Sequence, residues 1–338
     1  MRLEDWGEDA LIAAIARRFA ARHPRLEKGI GDDACVVREL GGRALLATTD
    51  VLIEDTHFRQ SYTPPRLLGR KALSISLSDI AAMGGEPLFF LVSIALPPET
   101  DKRFVDGLYD GLGEAGRKGK CLLIGGNTAK SRHGITVSTT VFGEAPAGGV
   151  VYRKGARAGD LIFVTGELGS SALGLWALGE RGKAAARGPY RESVNKHLDP
   201  EPRLSAGKAL AASGLATAMM DLSDGLVLDL KRLCIESGRA AVVSMSSLPA
   251  SKELQKFGKQ TGRRRMFEFA LTGGEDYELL FTSPESNLNR LSRLSRGLSL
   301  PFTPIGRIVP AKRAARAVTV LGEDGSPVAL EREGFEHF

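Results

Sequence analysis

Aspartates recur in this sequence beside glycines or at the ends of apolar segments, where folding brings polar side chains to an edge. They are Asp32, Asp33, Asp50, Asp79, Asp221 and Asp224. A buried carboxylate is costly without a partner, and Mg²⁺ prefers oxygen ligands from carboxylates, hydroxyls and phosphates. The five histidines form no HxxxH pair, and the three cysteines form no CxxC pair. The pattern therefore favours a magnesium–phosphate site over a zinc or iron centre.

Each of these aspartates also has a simpler explanation when it is considered alone. Asp32 and Asp33 suit a turn or a helix cap, and Asp50 suits a cap of the loop that follows it. Asp224 precedes Gly225 and suits the N-cap of a helix over 225–237. Glycine lies next to Asp32 and Asp224, and the aspartates taken as a set favour the metal–phosphate interpretation.

The standard phosphate-binding motifs do not fit this sequence. The segment GGNTAKS over 125–131 ends in Lys130-Ser131, but Ile124 and Ala129 stand where a P-loop needs glycine. The segment GIGDDA over 29–34 matches GxGxxA, yet no strand precedes it and two aspartates would face a pyrophosphate. If the chain binds ATP, metal ions held by aspartates must hold the phosphates.

Hydrophobic periodicity predicts alternating helices and strands that would position these aspartates. The first half is predicted to contain a helix over 8–22, a turn and short strand over 29–37, a strand over 43–50, a helix over 64–83, a strand over 88–96, a helix over 104–119, and strands over 121–127 and 134–145. The second half is predicted to contain strands over 161–166, 241–245, 278–282 and 303–309, helices within 167–178 and around 202–213, 225–237 and 285–297, and a polar stretch near 181–200.

The length and the alternation of elements indicate two domains of the α/β and α+β classes. A chain of 338 residues is long for a single core. A Gly- and Ala-rich segment over 145–160 indicates a crossover between domains. We therefore expect an N-terminal α/β domain over 1–148 and a C-terminal α+β domain over 149–338.

Composition argues against several classes of protein. Hydrophobic residues make up 43% and charged residues 25% of the chain, as in ordinary globular proteins. No apolar run approaches the roughly 20 residues of a membrane span, and the acidic N-terminal segment does not resemble a signal peptide. We expect a cytoplasmic protein with reduced cysteines.

The net charge of +6 arises in the second half, but the basic runs of that half, such as 263–265, lack interleaved aromatics. Nucleic-acid binding is therefore not expected.

Several long blocks of the sequence form an ordered set, namely GIGDDACVV, TTDVLIEDTHF, KALSISLSDIAAMGGEP, LIGGNT, YRKGARAGDLIFVTGELGSSALGL, MDLSDGLVLDL, LTGGEDYELLF and the terminal GFEHF. This set closely resembles the thiamine-monophosphate kinase family, which belongs to the aminoimidazole-ribonucleotide synthetase-like superfamily of ATP enzymes. The blocks follow one another over nearly the whole chain.

The resemblance implies a fold and an activity. The implied fold has an N-terminal sheet that pairs with its twin to form a barrel across a homodimer, followed by an α+β domain, with ATP in the cleft. The implied reaction transfers the γ-phosphate of ATP to thiamine monophosphate with the help of several Mg²⁺ ions. The implied partners are those two small molecules and a second copy of the chain, with no nucleic acid and no membrane.

The resemblance also implies roles for individual residues. The implied magnesium ligands are Asp33, Thr48, Thr49, Asp50, Asp79, Asn127, Asp221 and Asp224, and Asp50, Asp79 and Asp224 are the implied catalytic residues. The implied ATP contacts are Tyr109, Gly126, Asn127, Arg153 and Ser223. The implied contacts to the acceptor are His57, Glu275 and Phe335. Packing explains the last three equally well: His57 adjoins Phe58, Glu275 adjoins a turn, and Phe335 suits a plug for the C-terminus.

One position departs from the family pattern. The family usually has aspartate after the two glycines of the LIGG block, whereas this chain has Asn127. Asparagine offers a carbonyl oxygen to Mg²⁺ but no negative charge, so weaker magnesium binding is expected there. Two alternatives stay open at this stage: another ATP enzyme of the same superfamily that acts on a different acceptor, and a nucleotide-binding paralogue without catalytic activity.

Overall fold

The computed structural model of the chain describes residues 7–19, 23–38, 41–311 and 317–337. Two six-stranded mixed sheets, one from each half of the chain, form its framework. In these ranges, no helix is both long enough and apolar enough to cross a bilayer. The three cysteines are free thiols.

The first sheet has the strand order β1-β2-β3-β6-β4-β5, and only β4 and β5 run parallel. Its strands are β1 (Leu26–Lys28), β2 (Cys35–Arg38), β3 (Arg43–Ile53), β4 (Glu86–Leu96), β5 (Leu122–Lys130) and β6 (Thr136–Pro146). The helices of this half are α1 (Glu8–Arg18), α2 (Pro65–Ala82) and α3 (Lys102–Gly119).

The second sheet has the order β12-β9-β11-β7-β10-β8, and only β12 and β9 run parallel. Its strands are β7 (Leu161–Thr165), β8 (Ala218–Asp221), β9 (Arg239–Ser244), β10 (Leu279–Ser283), β11 (Phe302–Pro310) and β12 (Val318–Leu321). The helices are α4 (Ser170–Arg181), α5 (Arg191–Leu198), α6 (Leu204–Ser213), α7 (Leu226–Ser237), α8 (Lys252–Thr261), α9 (Arg263–Thr272) and α10 (Leu288–Leu298).

Helix α2 belongs to the hydrophobic cores of both halves. It begins after Pro64 with Pro65 in its first turn, where a missing N–H is tolerated. Leu73 and Ile80 pack in the core of the first sheet, whereas Ala81 packs in a core with residues of the second sheet. A side chain at Gly207 of α6 would come within 1.9 Å of the Ala81 carbonyl oxygen, so the two helices cross in close contact. This crossing fixes α2 against the second half of the chain.

Most of the strands and long helices agree with the sequence prediction, and the exceptions have physical reasons. The stretch near 181–200 contains α5, whose few apolar residues gave no clear helical period. Helices α8 and α9 and strands β1, β8 and β12 were also not predicted. Helix α1 ends at Arg18, short of the predicted residue 22, and residues 20–22 lie outside the described ranges.

The basic run at the start of α9 is exposed, yet two of its three arginines contact aromatic rings. Arg264 pairs with Glu331 at 2.7 Å. Arg263 lies over the ring of Phe267, and Arg265 lies over the rings of Trp176 and Phe257, each 5.6 Å from the centroid. Cation–π contacts of this kind hold arginine side chains against the protein surface.

Glu278 forms a buried ionic cluster behind β10 that should make stability depend on pH. Its Oε1 accepts from Lys196 Nζ at 2.8 Å, and its Oε2 accepts from Arg203 Nε at 2.7 Å. Burial alone would raise the pKa of Glu278, but these two cations hold that pKa below its ordinary value of 4.5. The stabilisation is therefore complete above about pH 4.5 and is lost as the pH falls through the folded-state pKa.

We expect Glu278→Gln to lower the free energy of unfolding by about 3–5 kcal/mol at pH 7, because it leaves two cations without a buried counter-charge. The difference between variant and wild type should shrink as the pH falls towards 3, since the wild-type carboxylate is then being protonated. Denaturant unfolding at several pH values measures this. A difference that is independent of pH would contradict the role of the ionised carboxylate.

Candidate active site

Three aspartates from distant parts of the chain converge between the two sheets. Asp33 lies in the loop before β2, Asp79 lies on α2, and Asp221 ends β8. One oxygen from each lies within 4.8 Å of the others. Since α2 is fixed against both halves of the chain, its position brings Asp79 from the first half beside Asp221 of the second.

Hydroxyl groups orient the carboxylates of this cluster. Thr48 Oγ1 donates to Asp79 Oδ2 at 2.5 Å. Ser78 Oγ donates to Asp221 Oδ2 at 2.6 Å. Beside the cluster, Ser76 Oγ donates to Asp50 Oδ2 at 2.7 Å. The two serines belong to helix α2, so a single helix orients carboxylates that belong to both sheets.

The electrostatics of the cluster suit a divalent cation. Burial raises the pKa of Asp79 and of Asp221 well above the ordinary value, and the neighbouring carboxylates raise both further. Within the described residues, Asp33 Oδ2 is buried without a hydrogen-bond partner. Closely spaced, buried carboxylates with hydroxyls beside them are the ligands that hard cations prefer. The residues present therefore fit the Mg²⁺ that the sequence pattern indicates.

Arg153 neutralises part of this negative charge. Its Nε and Nη2 donate to Asp33 Oδ1 at 3.0 and 2.5 Å, and its backbone N–H donates to Asp32 Oδ1 at 3.2 Å. Burial disfavours the charged guanidinium, but Asp33 and Asp32 outweigh this effect and raise the pKa of Arg153 beyond its usual range. Arg153 thus stays charged at the edge of the carboxylate cluster.

Asp229 shapes the loop that carries Ser223 and Asp224. Its Oδ2 accepts from the backbone N–H groups of Ser223, Asp224 and Gly225 at 3.1, 3.0 and 3.2 Å. Arg232 contacts Asp224 and also donates to Asp229 at 3.1 Å. Helix α7 is therefore capped from within by Asp229, and Asp224 does not take the capping role that was its simpler explanation.

A cavity of about 730 Å³ opens beside the cluster. Seven of the residues with predicted roles line it, namely Thr49, Asp50, His57, Ser223, Asp224, Glu275 and Phe335. Aromatic side chains of Tyr62, Trp176 and Phe269 line another part of its wall. The cavity thus combines a carboxylate-rich region with a flat, aromatic region.

The C-terminal segment folds back over this cavity. The backbone N–H of Phe335 donates to the Asp224 carbonyl oxygen at 2.9 Å. The ring of His337 lies 5.0 Å from Phe335 and 5.1 Å from His57. Phe335 itself is 44% exposed, so it is not the buried plug that was its alternative explanation. The His57 Nδ1 accepts from the backbone N–H of Ile53 at 3.0 Å, which leaves its Nε2–H free to donate.

Four residues with predicted ATP roles do not line the cavity, namely Arg153, which pairs with Asp33 at the cluster, and Tyr109, Gly126 and Asn127. Tyr109 on α3 packs against the core of the first sheet. Gly126 and Asn127 lie on the exposed edge strand β5, where Asn127 Oδ1 accepts from the Thr128 N–H at 3.0 Å. Gly126 and Asp50 lie at the same level of the first sheet, with strands β4 and β6 between them. At the usual strand spacing the two residues are about 14 Å apart. Their roles stay predictions.

Some residues that build the site were not predicted from the sequence. They are Ser76, Ser78, Asp229, Arg232, Lys71 and His197. The serines had a visible signal, because they alternate with apolar residues just before Asp79 in a segment predicted to be a buried helix. The other four act through tertiary contacts, and nothing local in the sequence marks them.

Comparison with known proteins agrees with this architecture. Residues 31–145 match the model of the AIR synthase related protein N-terminal domain, and residues 157–319 match that of the C-terminal domain. A Bacillus subtilis protein named thiamine-monophosphate kinase is 35% identical over 334 residues, covering 97% of this chain and 98% of the relative. One from Aquifex aeolicus is 37% identical over 339 residues, covering 100% of both.

The chain belongs to the thiamine-monophosphate kinase family.

Solved structures support the same assignment and confirm the two-domain AIR synthase-like fold. AaThiL complexed with AMPPCP and TMP superposes with a TM-score of 0.85 at 37% identity, covering 100% of this chain and 99% of that one. The Stenotrophomonas maltophilia thiamine-monophosphate kinase gives a TM-score of 0.76 at 33% identity, covering 94% and 96%. Hydrogenase maturation protein HypE in complex with ATP gives 0.67 at 19% identity, which shows the shared fold alone.

Proposed function

We propose that this chain is an ATP-dependent kinase that phosphorylates thiamine monophosphate to thiamine diphosphate. The observation that carries the proposal is a homologue that is 37% identical over the whole chain and holds an ATP analogue together with TMP. The carboxylate cluster beside an aromatic-lined cavity is the arrangement that such a reaction needs. The acceptor oxygen belongs to a phosphate that is largely ionised at neutral pH, so it needs no strong general base.

We propose that the residues of the site act mainly by binding and orientation, as phosphoryl transfer requires. Asp33, Asp79 and Asp221 would hold Mg²⁺ together with Asp50, Asp224, Thr48 and Thr49. Bound Mg²⁺ would neutralise the charge of the two phosphate-bearing reactants, which otherwise repel one another. Arg153 would turn its guanidinium from Asp33 towards an ATP phosphate, and Ser223 would donate to ATP from its loop. The γ-phosphorus forms a bond to an acceptor phosphate oxygen as its bond to ADP breaks.

The flat region of the cavity would take the organic part of the acceptor. Thiamine carries a permanent positive charge on its thiazolium ring, and the faces of aromatic rings attract cations. Phe335 is half-exposed at the cavity and so is available to stack on the acceptor. His57 has a free Nε2–H there, and Glu275 offers a carboxylate. These assignments extend the family resemblance to the geometry of this chain.

We propose that two copies of the chain associate through the first sheet, as the family resemblance implies. Strand β5 lies at the edge of that sheet and exposes Leu122, Leu123 and Ile124 by 65%, 44% and 56%. An unpaired edge strand with exposed apolar side chains is a pairing surface unless it is covered. Sedimentation equilibrium would test the proposal, since a mass of 36.1 kDa, that of a single chain, would contradict it.

A second copy at β5 would also change the surroundings of Gly126, Asn127 and Tyr109, three of the predicted ATP contacts that do not line the cavity of one chain. Gly126 and Asn127 belong to β5 itself. We propose that they and Tyr109 contact ATP in the dimer, with Asn127 offering its amide oxygen to Mg²⁺. The proposal includes the cytoplasmic location expected from the sequence.

The direct test mixes purified protein with ATP, Mg²⁺ and thiamine monophosphate and follows thiamine diphosphate by chromatography. We expect equal amounts of ADP and thiamine diphosphate, and no product when Mg²⁺ is chelated. Asp50→Asn should bind the acceptor but form no product, because it removes a carboxylate at the cluster while keeping the shape of the side chain. ATP binding without turnover in the wild-type protein would favour a non-catalytic paralogue and reject the proposal.

A further inference from the structure

A lysine is buried behind the acceptor region of the cavity. Lys71 on α2 is 1% exposed, and its Nζ lies 2.7 Å from Glu275 Oε1. A buried ammonium group is expensive unless a counter-charge compensates it, and breaking such a pair is strongly destabilising. An apolar residue at position 71 would pack in this core without that cost. The Lys71–Glu275 ion pair is therefore better explained by a role in function than by a contribution to stability.

A buried histidine holds the second oxygen of the same carboxylate. His197 is 2% exposed, and its Nδ1 lies 3.1 Å from Glu275 Oε2 and 3.1 Å from Ser171 Oγ. An ionised carboxylate can only accept hydrogen bonds, so His197 Nδ1 carries the proton. Burial and Lys71 lower the pKa of His197 and keep its ring neutral. Lys71 and His197 overcome the effect of burial on Glu275 and hold the pKa of that carboxyl below its usual range.

The backbone around Glu275 is also held in an uncommon conformation. Glu275 and Tyr277 have φ angles of 65° and 48°, in the left-handed region that non-glycine residues seldom adopt. The Glu275 N–H donates to the Ser223 carbonyl oxygen at 2.7 Å, and the Tyr277 N–H donates to that of Leu222 at 2.8 Å. The strained segment is thus fixed to the loop of predicted ATP and metal residues. Strain of this kind persists where the surrounding structure imposes it, and such places are often functional.

The carboxylate of Glu275 keeps the capacity to accept further hydrogen bonds. A carboxylate has about four lone-pair positions, and Lys71 and His197 use two of them. The Glu275 side chain is 21% exposed, and it lines the cavity together with His57. The remaining lone pairs therefore form a hydrogen-bond acceptor of fixed direction at the wall of the cavity. Its natural complement is a group that donates N–H.

The same helix sets the distance between this acceptor and the carboxylate cluster. Lys71 and Asp79 are eight residues apart on α2, which is about 12 Å at the usual helical rise. A molecule that reaches both regions must be elongated, with its phosphate near the cluster and its N–H donor near Glu275. Thiamine monophosphate has this form, because its aminopyrimidine and its phosphate lie at opposite ends.

We propose that Lys71 and His197 are positioning residues that hold Glu275 to accept a hydrogen bond from an amino group on the acceptor. The substrate class is then a phosphorylated molecule with an amino-substituted nitrogen heterocycle at its far end. This inference rests on the proposed function. It adds a physical reason for selecting acceptors that carry an amino group, which no predicted site residue provides by itself. A site built to pair with a donor group discriminates strongly against an analogue that lacks it.

The test compares thiamine monophosphate with the analogue in which oxygen replaces the pyrimidine amino group. We expect the wild-type protein to prefer the amino compound by about 100-fold or more in kcat/KM.

Lys71→Met keeps the length of the side chain without its charge. It should raise the KM for thiamine monophosphate by about 10- to 100-fold, change kcat less, and reduce the preference to below about tenfold. Glu275→Gln should shift the preference towards the oxygen analogue, because its amide can donate to that oxygen.

Two further variants separate positioning from a purely structural role. Lys71→Met/Glu275→Gln removes both charges, so it should recover most of the thermal stability that Lys71→Met loses, but not the preference for the amino group. Arg70→Met is the matched control on the same helix. Arg70 pairs with Asp199 at 2.7 Å outside the cavity, so its loss should leave the KM for the acceptor unchanged.

The outcomes of these measurements distinguish the positioning role of Lys71 and His197 from the proposed function. If the wild-type protein turns over thiamine monophosphate but Glu275→Gln and the double variant keep the full preference for the amino group, the positioning role is wrong and the proposed function stands. If the double variant recovers both stability and preference, the pair is structural only. If the wild-type protein forms no product, the proposed function fails and this inference fails with it.

Discussion

Replacing Asp79 with asparagine is expected to abolish turnover and, at the same time, to make the protein without ligands harder to unfold. Asp79 lies within 4.8 Å of Asp33 and Asp221 in ligand-atom distance, and all three are largely shielded from water. Like charges this close destabilise the folded state. Asparagine keeps an oxygen that accepts from Thr48 but removes one charge. We expect the free energy of unfolding to rise by about 1–2 kcal/mol at pH 7.

The negative charge of Asp79 that lowers stability is also the reason why turnover is lost in the variant. The charge that repels its neighbours in the empty protein is the charge that would hold Mg²⁺ against two anionic reactants. We expect kcat to fall by about 1,000-fold or more, which corresponds to roughly 4 kcal/mol of transition-state stabilisation. Added Mg²⁺ should raise the melting temperature of the wild-type protein and have much less effect on the variant.

The sign of the stability change also predicts its pH dependence. Burial and the neighbouring carboxylates raise the folded-state pKa of Asp79 above its ordinary value of 3.8. The loss of stability caused by Asp79 therefore begins above about pH 3.8. It vanishes below that pH, where the Asp79 carboxyl is protonated in both the folded and the unfolded state. Denaturant unfolding of both proteins at pH 7 and near pH 3.5 measures the difference. Exposed Asp110→Asn on α3 is the control and should change neither property. A variant less stable than the wild type at pH 7 would contradict the argument.

The second large effect is expected at a residue that contacts neither reactant. Asp229→Asn should lower kcat/KM by about 100-fold through the loop that carries Ser223 and Asp224. One oxygen of Asp229 accepts three backbone N–H groups of that loop, and the other accepts from Arg232. Asparagine can satisfy only one of these two sets, because its NH₂ group cannot accept. We expect the free energy of unfolding to fall by about 1–3 kcal/mol as well.

A matched control distinguishes the loss of loop geometry from a general loss of stability. Asp160 is a buried aspartate that also accepts from a backbone N–H, that of Arg157 at 3.0 Å, and from Thr217 Oγ1 at 2.7 Å. It lies outside the lining of the cavity. Asp160→Asn should lower the melting temperature to a similar degree without a comparable loss of kcat/KM. If the two variants lose turnover equally, the special role of Asp229 is not supported.

The sequence was sufficient for those features that depend on local chemistry. Aspartates at the ends of apolar segments must meet solvent or a ligand at an edge, and Asp33, Asp79 and Asp221 do converge. Proline at the start of α2 and the two glycines after it gave bounds close to those observed. The family resemblance, which rests on long blocks of residues, is confirmed by relatives that match over the full chain.

The sequence was insufficient for features that depend on tertiary contacts. A lysine in an apolar helix looks like an exposed residue, and only the packing of α2 reveals that Lys71 is buried against Glu275. Helices α8 and α9 follow each other with only Gly262 between them, and neither helix was predicted from the sequence. The roles proposed for Gly126 and Asn127 would involve surfaces that one chain leaves exposed, and local sequence patterns carry no information about such surfaces.

The spacing along α2 has a consequence for how this protein can change. Between Lys71 and Asp79, substitutions of similar volume alter packing locally, but inserting or deleting one residue would rotate everything beyond it by about 100° and shift it by about 1.5 Å. If the acceptor binds as proposed, either its far end or its phosphate would then lose its contacts. The length of this interval should thus be under far stricter constraint than the identity of most residues within it.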